Sequence, residues 1–354
     1  MKKETKFKSL FEHYGFTKKD ERKYPVISRI LKELTPEKIK KEIREVQKIK
    51  LSPELQKWVR KYEKVGDSDR NEYLWKWIYR GTEIFTKNNI NKKYLSKLLE
   101  VKLLLFIFDT FLDDIADKSS MRNEKLLKEI IKVPFQQKYI EYEKLNKKEK
   151  ENINFAIKMW NQIKQEVKKF PRYKEFKDIF KYDIYQFLNA LKYSYLLNEN
   201  NFLINQKEAW IYLPHSMQVV LNITLELMHA PEFNIKELGL MREFGWRAQN
   251  MSRIGNWVST WEREIGEKDF TSAVFACAIS KGIISIKDLN LNRRLKIIKR
   301  IKKAKIEKEF LKEWEKNYLK ANNLSKKIKS FNTNQKTKAL KKVIFYHLSS
   351  VGLK

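Results

Sequence analysis

From Leu103 to Asp117 the chain reads LLLFIFDTFLDDIAD, six consecutive apolar residues followed by four aspartates within nine positions. A helix apolar on all sides is a buried helix, and this pattern predicts one over residues 95–118. The run is far too short to span a bilayer. Carboxylates emerging from a buried helix must be paired, solvated in a cavity or bound to metal.

The rest of the chain points the same way. Glycine (9) and proline (7) are scarce in 354 residues, which leaves little turn chemistry for a many-stranded fold. Long stretches rich in Lys, Glu, Leu and Ile favour helices, and neither an alternating strand pattern nor an internal repeat is evident. Further helices are expected at about 150–168, 174–198, 205–229, 235–266, 270–281, 287–321 and 323–349. Ser52-Pro53-Glu54 has the form of an N-cap, a first-turn proline and an acidic first turn. Residues 1–50 are basic and weakly patterned, and read as a peripheral leader with one or two short helices. Residues 51–354 read as one all-α domain.

Asp109, Asp113 and Asp117 stand at i, i+4 and i+8. Each step drifts only about 40° around the helix, so the three share a face, with Asp114 beside it. Stacked like charges repel, and the helix C-terminus disfavours anions. A divalent cation reverses both penalties, and Mg²⁺ commonly bridges carboxylates to substrate phosphates. The plain alternative is a solvated acidic helix end.

A second row follows much later, in NWVSTWERE. Asn256, Thr260 and Glu264 repeat the same spacing with an amide oxygen, a hydroxyl and a carboxylate, all hard oxygen donors. Arg253 lies one turn before this row and Arg263 directly precedes Glu264, both placed to meet a phosphate. Alone, this spacing also describes an ordinary polar helix face.

The net charge of +32 admits two readings: a polyanionic partner, or a solvated lysine-rich surface. The lysines are spread along the whole chain, which favours the second. The single cysteine, Cys277, allows no internal disulfide and sits in the apolar run AVFACAI, as a small buried hydrophobe does. With no secretory signal at the N-terminus, a reducing cytoplasm is the expected location.

Taken together, the two rows resemble the class I terpene synthase family. DDIAD at 113–117 matches its aspartate-rich DDxxD motif, and NWVSTWERE at 256–264 resembles its second motif, down to an aromatic (Trp261) after the hydroxyl and a basic residue (Arg263) before the Glu. The order and the separation of about 140 residues also fit. The resemblance covers roughly residues 55–350. It implies a helical bundle with a central apolar active-site cavity and a magnesium-dependent lyase that ionises farnesyl or geranylgeranyl diphosphate and cyclises the cation. By this resemblance Asp113, Asp117, Asn256, Thr260 and Glu264 are catalytic and hold Mg²⁺, as three ions, with Mn²⁺ able to replace it. Arg253 and Arg263 face the diphosphate, Asp114 pairs with an arginine, and Asp109 is an addition to the pattern. No nucleic acid partner and no stable membrane insertion are expected, and a homodimer is allowed.

There are departures from the family. Trp257 stands where an acid is frequent. The arginine that often senses diphosphate before the second motif is missing, since none occurs between Arg172 and Arg242; His215 and Lys192 are the substitutes at hand. The C-terminal Arg-Tyr pair is absent, with Tyr346 a faint counterpart. Phe106, Phe108, Tyr182, Phe187 and Trp246 are candidate cavity aromatics, against an ordinary core role for each. A prenyl elongase would need a second DDxxD, and a type II cyclase a DxDD, where the chain has only DSDR at 67–70. A non-catalytic nucleic-acid binder would explain the charge but not the two rows.

Overall fold

The computed structural model describes residues 9–87, 90–291 and 293–353. Among these residues there are helices and turns but no strands. The helix Lys92–Asp117 runs through the middle. Asn91 caps it, accepting from the Lys93 amide at 2.9 Å. It buries Leu98, Val101, Leu103, Leu105, Ile107, Phe108, Phe111 and Ile115, residues that point in every direction around its axis. Such a helix must be enclosed, and Pro53–Tyr62, Glu72–Thr86, Lys147–Val167, Tyr173–Glu199 and Val219–Leu227 enclose it.

The second motif lies on the 30-residue helix Leu238–Glu267, which packs on Ile306–Lys327 and Thr333–Ser349. It ends at Lys268, in the left-handed region with φ 55°. The proposed cap at Ser52 is present, its hydroxyl accepting from the Leu55 amide. Among the described residues no helix is long and apolar enough to cross a membrane.

Three boundaries differ from the sequence reading. The stretch 205–229 is not one helix. Pro214 starts a 3₁₀ segment, Leu213–Met217, and Gln218 adopts φ 53° before Val219–Leu227 begins. The stretch 287–321 is broken at Lys305, φ 56°, between Arg294–Ala304 and Ile306–Lys327. The last helix starts at Thr333, ten residues after the expected start.

The N-terminal segment carries four short helices, Leu10–His13, Lys18–Lys23, Pro25–Glu33 and Pro36–Gln47, instead of one or two. They share the main core through Leu10, Ile27, Leu31 and Leu34. The Glu315 carboxylate accepts from the amides of Val26 (3.2 Å) and Ile27 (2.8 Å), and Asp20 pairs with Lys308 and Lys312.

Candidate active site

The two oxygen-bearing rows face one cavity. Asp113 and Asp117 enter from the central helix, and Asn256 and Glu264 from Leu238–Glu267. The cavity holds about 100 Å³ and is almost entirely polar. Glu267 and Asp269 add two carboxylates, while Arg70, Lys118, Arg253 and Arg263 supply the cations.

Most of those cations are already engaged. Arg70 donates from Nε (3.1 Å) and Nη2 (2.9 Å) to Oδ1 of the buried Asp114, and Tyr62 donates to Oδ2 of the same carboxylate. Arg70 Nη2 lies 3.8 Å from Asp113. The arginine expected beside Asp114 is therefore Arg70. Arg263 pairs with Glu267, and Lys118 with Asp67 and Glu267. Arg253 donates to the Asn256 amide oxygen at 3.2 Å.

The remaining acids are underpaired. Asp117 receives a long bond from Asn198, at 3.3 Å, and its carboxyl is in hydrogen-bond contact with that of Asp113. Glu264 meets the Thr260 hydroxyl and Asp109 the Gln218 side chain, but one oxygen of each is buried with no hydrogen-bond partner among the described residues. Burial, with Asp269 next in effect, holds the Glu264 carboxyl up at about 7. Burial also lifts Asp117 well above the usual range, with Asp113 and Asp269 adding to the rise, and it lifts Asp109, with Asp113 adding. Asp113 is raised too, first by burial, although Arg70 opposes the rise. A pocket that crowds partly buried carboxylates favours the uptake of protons or cations.

One expected ligand, Thr260, and the additional acid Asp109 are placed differently from the rest. Thr260 is buried but does not line the cavity, and its hydroxyl donates to the Asn256 carbonyl at 2.8 Å. Asp109 lies one turn deeper than Asp113. Among the described residues no three His, Cys, Asp or Glu side chains form a ready metal cluster.

One to two turns back along the same two helices lies a second cavity, also about 100 Å³, with a nearly wholly apolar lining. Trp77, Phe85, Phe106 and Tyr346 supply its aromatic wall, and Trp77 and Tyr346 stack at 4.9 Å between centroids. Of the five candidate cavity aromatics, Phe106 alone lines this cavity. Phe108 and Phe187 are core, Tyr182 is exposed, and Trp246 lines a surface groove. Tyr346 belongs to the apolar wall and not to the polar cavity. Cys277 is buried, and its thiol is pushed up by burial.

Neither substitute for the missing arginine reaches the polar cavity. His215 lies against Trp246 with Gln249 at 3.5 Å, and burial pushes its imidazole down to about 4. Lys192 is exposed. Arg70 and Lys118, neither selected from the sequence, do line it. The only sequence signal for Arg70 is the DSDR string.

At the edge of the apolar cavity Lys102 is wholly buried. Its ammonium donates to Thr86 (2.8 Å) and to Glu226 (2.6 Å), and the equally buried Lys336 meets the other Glu226 oxygen at 2.5 Å. Two cations thus share one anion inside the bundle.

A solved structure of isoprene synthase from grey poplar leaves (Populus x canescens) matches this arrangement of helices. The TM-score is 0.51 at 14% sequence identity, over 92% of this chain and 54% of that one. The two share an all-helical fold. This chain spans about half the length of the poplar protein. No family model matches the chain, and no curated protein is similar to it.

Proposed function

We propose that the protein is a class I terpene synthase that ionises an isoprenoid diphosphate and guides the resulting carbocation to a hydrocarbon product. One observation carries the reading: two oxygen-bearing rows, far apart in sequence, converge on one polar cavity beside an aromatic-walled apolar one.

Asp113, Asp117, Asn256, Thr260 and Glu264 would hold magnesium. Their donor set of carboxylate, amide and hydroxyl oxygens suits a hard cation, and the orphaned Glu264 oxygen is a buried acceptor in need of one. When bound, the metal supplies positive charge against the departing diphosphate. Arg253 and Arg263 line the cavity from one helix and Arg70 lines it beside Asp113, and their guanidinium groups would steady the charge that develops on the diphosphate as the C–O bond breaks. Trp77, Phe85, Phe106 and Tyr346 exclude water from the reacting carbons. Each ring face stabilises a cation by about 0.5–2 kcal/mol.

The test is incubation with Mg²⁺ and, separately, geranyl, farnesyl and geranylgeranyl diphosphate, followed by analysis of the volatile products. Asp113→Ala and Glu264→Ala are each expected to abolish turnover and keep the helical fold. Near wild-type turnover by either variant, or no product from any of the three substrates, defeats the reading.

A further inference from the structure

The two most exposed large apolar side chains among the described residues are Leu295, 83% exposed, and Phe202, 79% exposed. They come from distant parts of the sequence but flank one junction. Phe202 sits on the turn Asn201–Leu203, and Leu291 (51% exposed) and Leu295 bracket the start of the helix Arg294–Ala304. Asn201 donates to Asn290 across the junction at 2.7 Å. Apolar groups this exposed lose hydration cost only when something covers them.

Charge surrounds them. Residues 287–305 carry nine Lys or Arg and one acid, a local excess far above the average for the chain. Asp288 is shared by Arg293, Lys296 and Arg300, and Glu262 from the neighbouring helix takes Lys302. Those two carboxylates leave most of the positive charge uncompensated. The helix Arg294–Ala304 turns Ile297 and Ile301 into the protein and keeps Leu295, Lys299, Lys302 and Lys303 outside. A basic helix with leucine among its outward cations has the composition of a segment that lies in a lipid interface.

The patch adjoins the polar cavity. Arg294 donates to the Glu262 carbonyl at 3.4 Å, two residues from Glu264. On the other side, Asn198, four residues before Phe202, reaches Asp117 and Asp269.

We propose that this face docks on the surface of an anionic lipid bilayer, with Phe202, Leu291 and Leu295 entering the headgroup region and the cations of 287–305 against lipid phosphates. Charge complementarity selects this occupant. A second copy of the chain would bring equal positive charge to the contact, and a nucleic acid backbone would leave the exposed phenylalanine and leucines without a partner. Each cation near an anionic surface adds to the attraction, and the apolar side chains anchor it. Docking holds the mouth of the cavity at the bilayer surface. It does not depend on the enzymatic reading.

The experiment is cosedimentation of the full chain with vesicles of phosphatidylcholine alone and of phosphatidylcholine with phosphatidylglycerol. Binding is expected to the second only, and to weaken as salt rises. The double variant Phe202→Ser/Leu295→Ser, which leaves the charge unchanged, is expected to lose at least tenfold in affinity, and Lys299→Glu/Lys303→Glu at least as much. Both alter exposed positions, and unchanged circular dichroism confirms folding. Equal binding to both vesicle types, or full binding by the Phe202/Leu295 variant, overturns the proposal. So does a dimer in solution that this variant dissolves, or duplex DNA binding tighter than vesicle binding.

Discussion

Arg70 holds Asp114 with two N–H donors while standing 3.8 Å from Asp113, so one guanidinium fixes the acid that faces inward and borders the acid that faces the cavity. The two neighbouring aspartates therefore have different work. Asp114 is a wholly buried anion whose partners are Arg70 and Tyr62, and removing one partner of a buried pair costs about 3–5 kcal/mol. Arg70→Ala is expected to lose stability on that scale in urea denaturation. Asp113→Ala is expected to lose turnover with little loss of stability. Equal stability losses in the two variants would show that this division is wrong.

Crowded acids make the cavity a site where function opposes stability. Glu264→Gln removes one of several underpaired buried carboxylates, so the metal-free variant is expected to melt above the wild type, by the few degrees that about 1 kcal/mol gives a chain of this size. Mg²⁺ with inorganic diphosphate is expected to raise the wild-type Tm, since a ligand at about 100 times its Kd adds about 2.7 kcal/mol. The same addition is expected to leave Glu264→Gln nearly unmoved. Thermal scans with and without the two ions decide the matter.

The helices Leu238–Glu267 and Thr333–Ser349 approach closely at Gly255, where an added Cβ would lie 2.9 Å from His347 Cγ and 3.1 Å from its Cβ. Gly255→Ala must push the two helices apart, at about 1–3 kcal/mol. Because Asn256 is the next residue and His347 lines the apolar cavity, the variant is also expected to lower turnover. A Tm equal to that of the wild type would place the His347 ring elsewhere.

What could be read in advance follows the range of the interactions involved. The rows at 109–117 and 256–264 were legible because four-residue spacing on a helix is a local property. The buried central helix was legible for the same reason. Arg70 was not, because its role rests on a contact 44 residues away, and the DSDR string carries no local sign of that partner. The break at Leu213–Met217 had Pro214 as a signal, but the left-handed Gln218 had none, since glutamine rarely adopts that backbone. Tyr182 and Trp246 show that an aromatic in a helix does not reveal which face it occupies. Lys102 was hidden most completely: one lysine in a lysine-rich chain, with its carboxylate 124 residues away.

That lysine gives the least intuitive expectation. Lys102 and Lys336 both bear on Glu226, and all three are wholly buried. Burial, with Lys336 adding to it and Glu226 opposing it, pushes the Lys102 ammonium down from 10.5 to about 8. Between those values the unfolded chain binds a proton that the folded chain does not. Stability from this group is therefore complete above about pH 10.5 and is lost as pH falls through 8, a swing on the order of 3 kcal/mol. Lys102→Met removes the surplus cation, leaves Glu226 paired with Lys336, and keeps the volume similar. Near pH 7 it is expected to be at least as stable as the wild type, with the advantage shrinking toward pH 10. Glu226→Gln leaves two buried ammonium groups with no anion and is expected to lose about 3–5 kcal/mol. Urea denaturation of the three proteins at pH 7 and pH 10 measures both differences. A Lys102→Met variant markedly less stable than the wild type at pH 7 would mean that Glu226 needs both lysines.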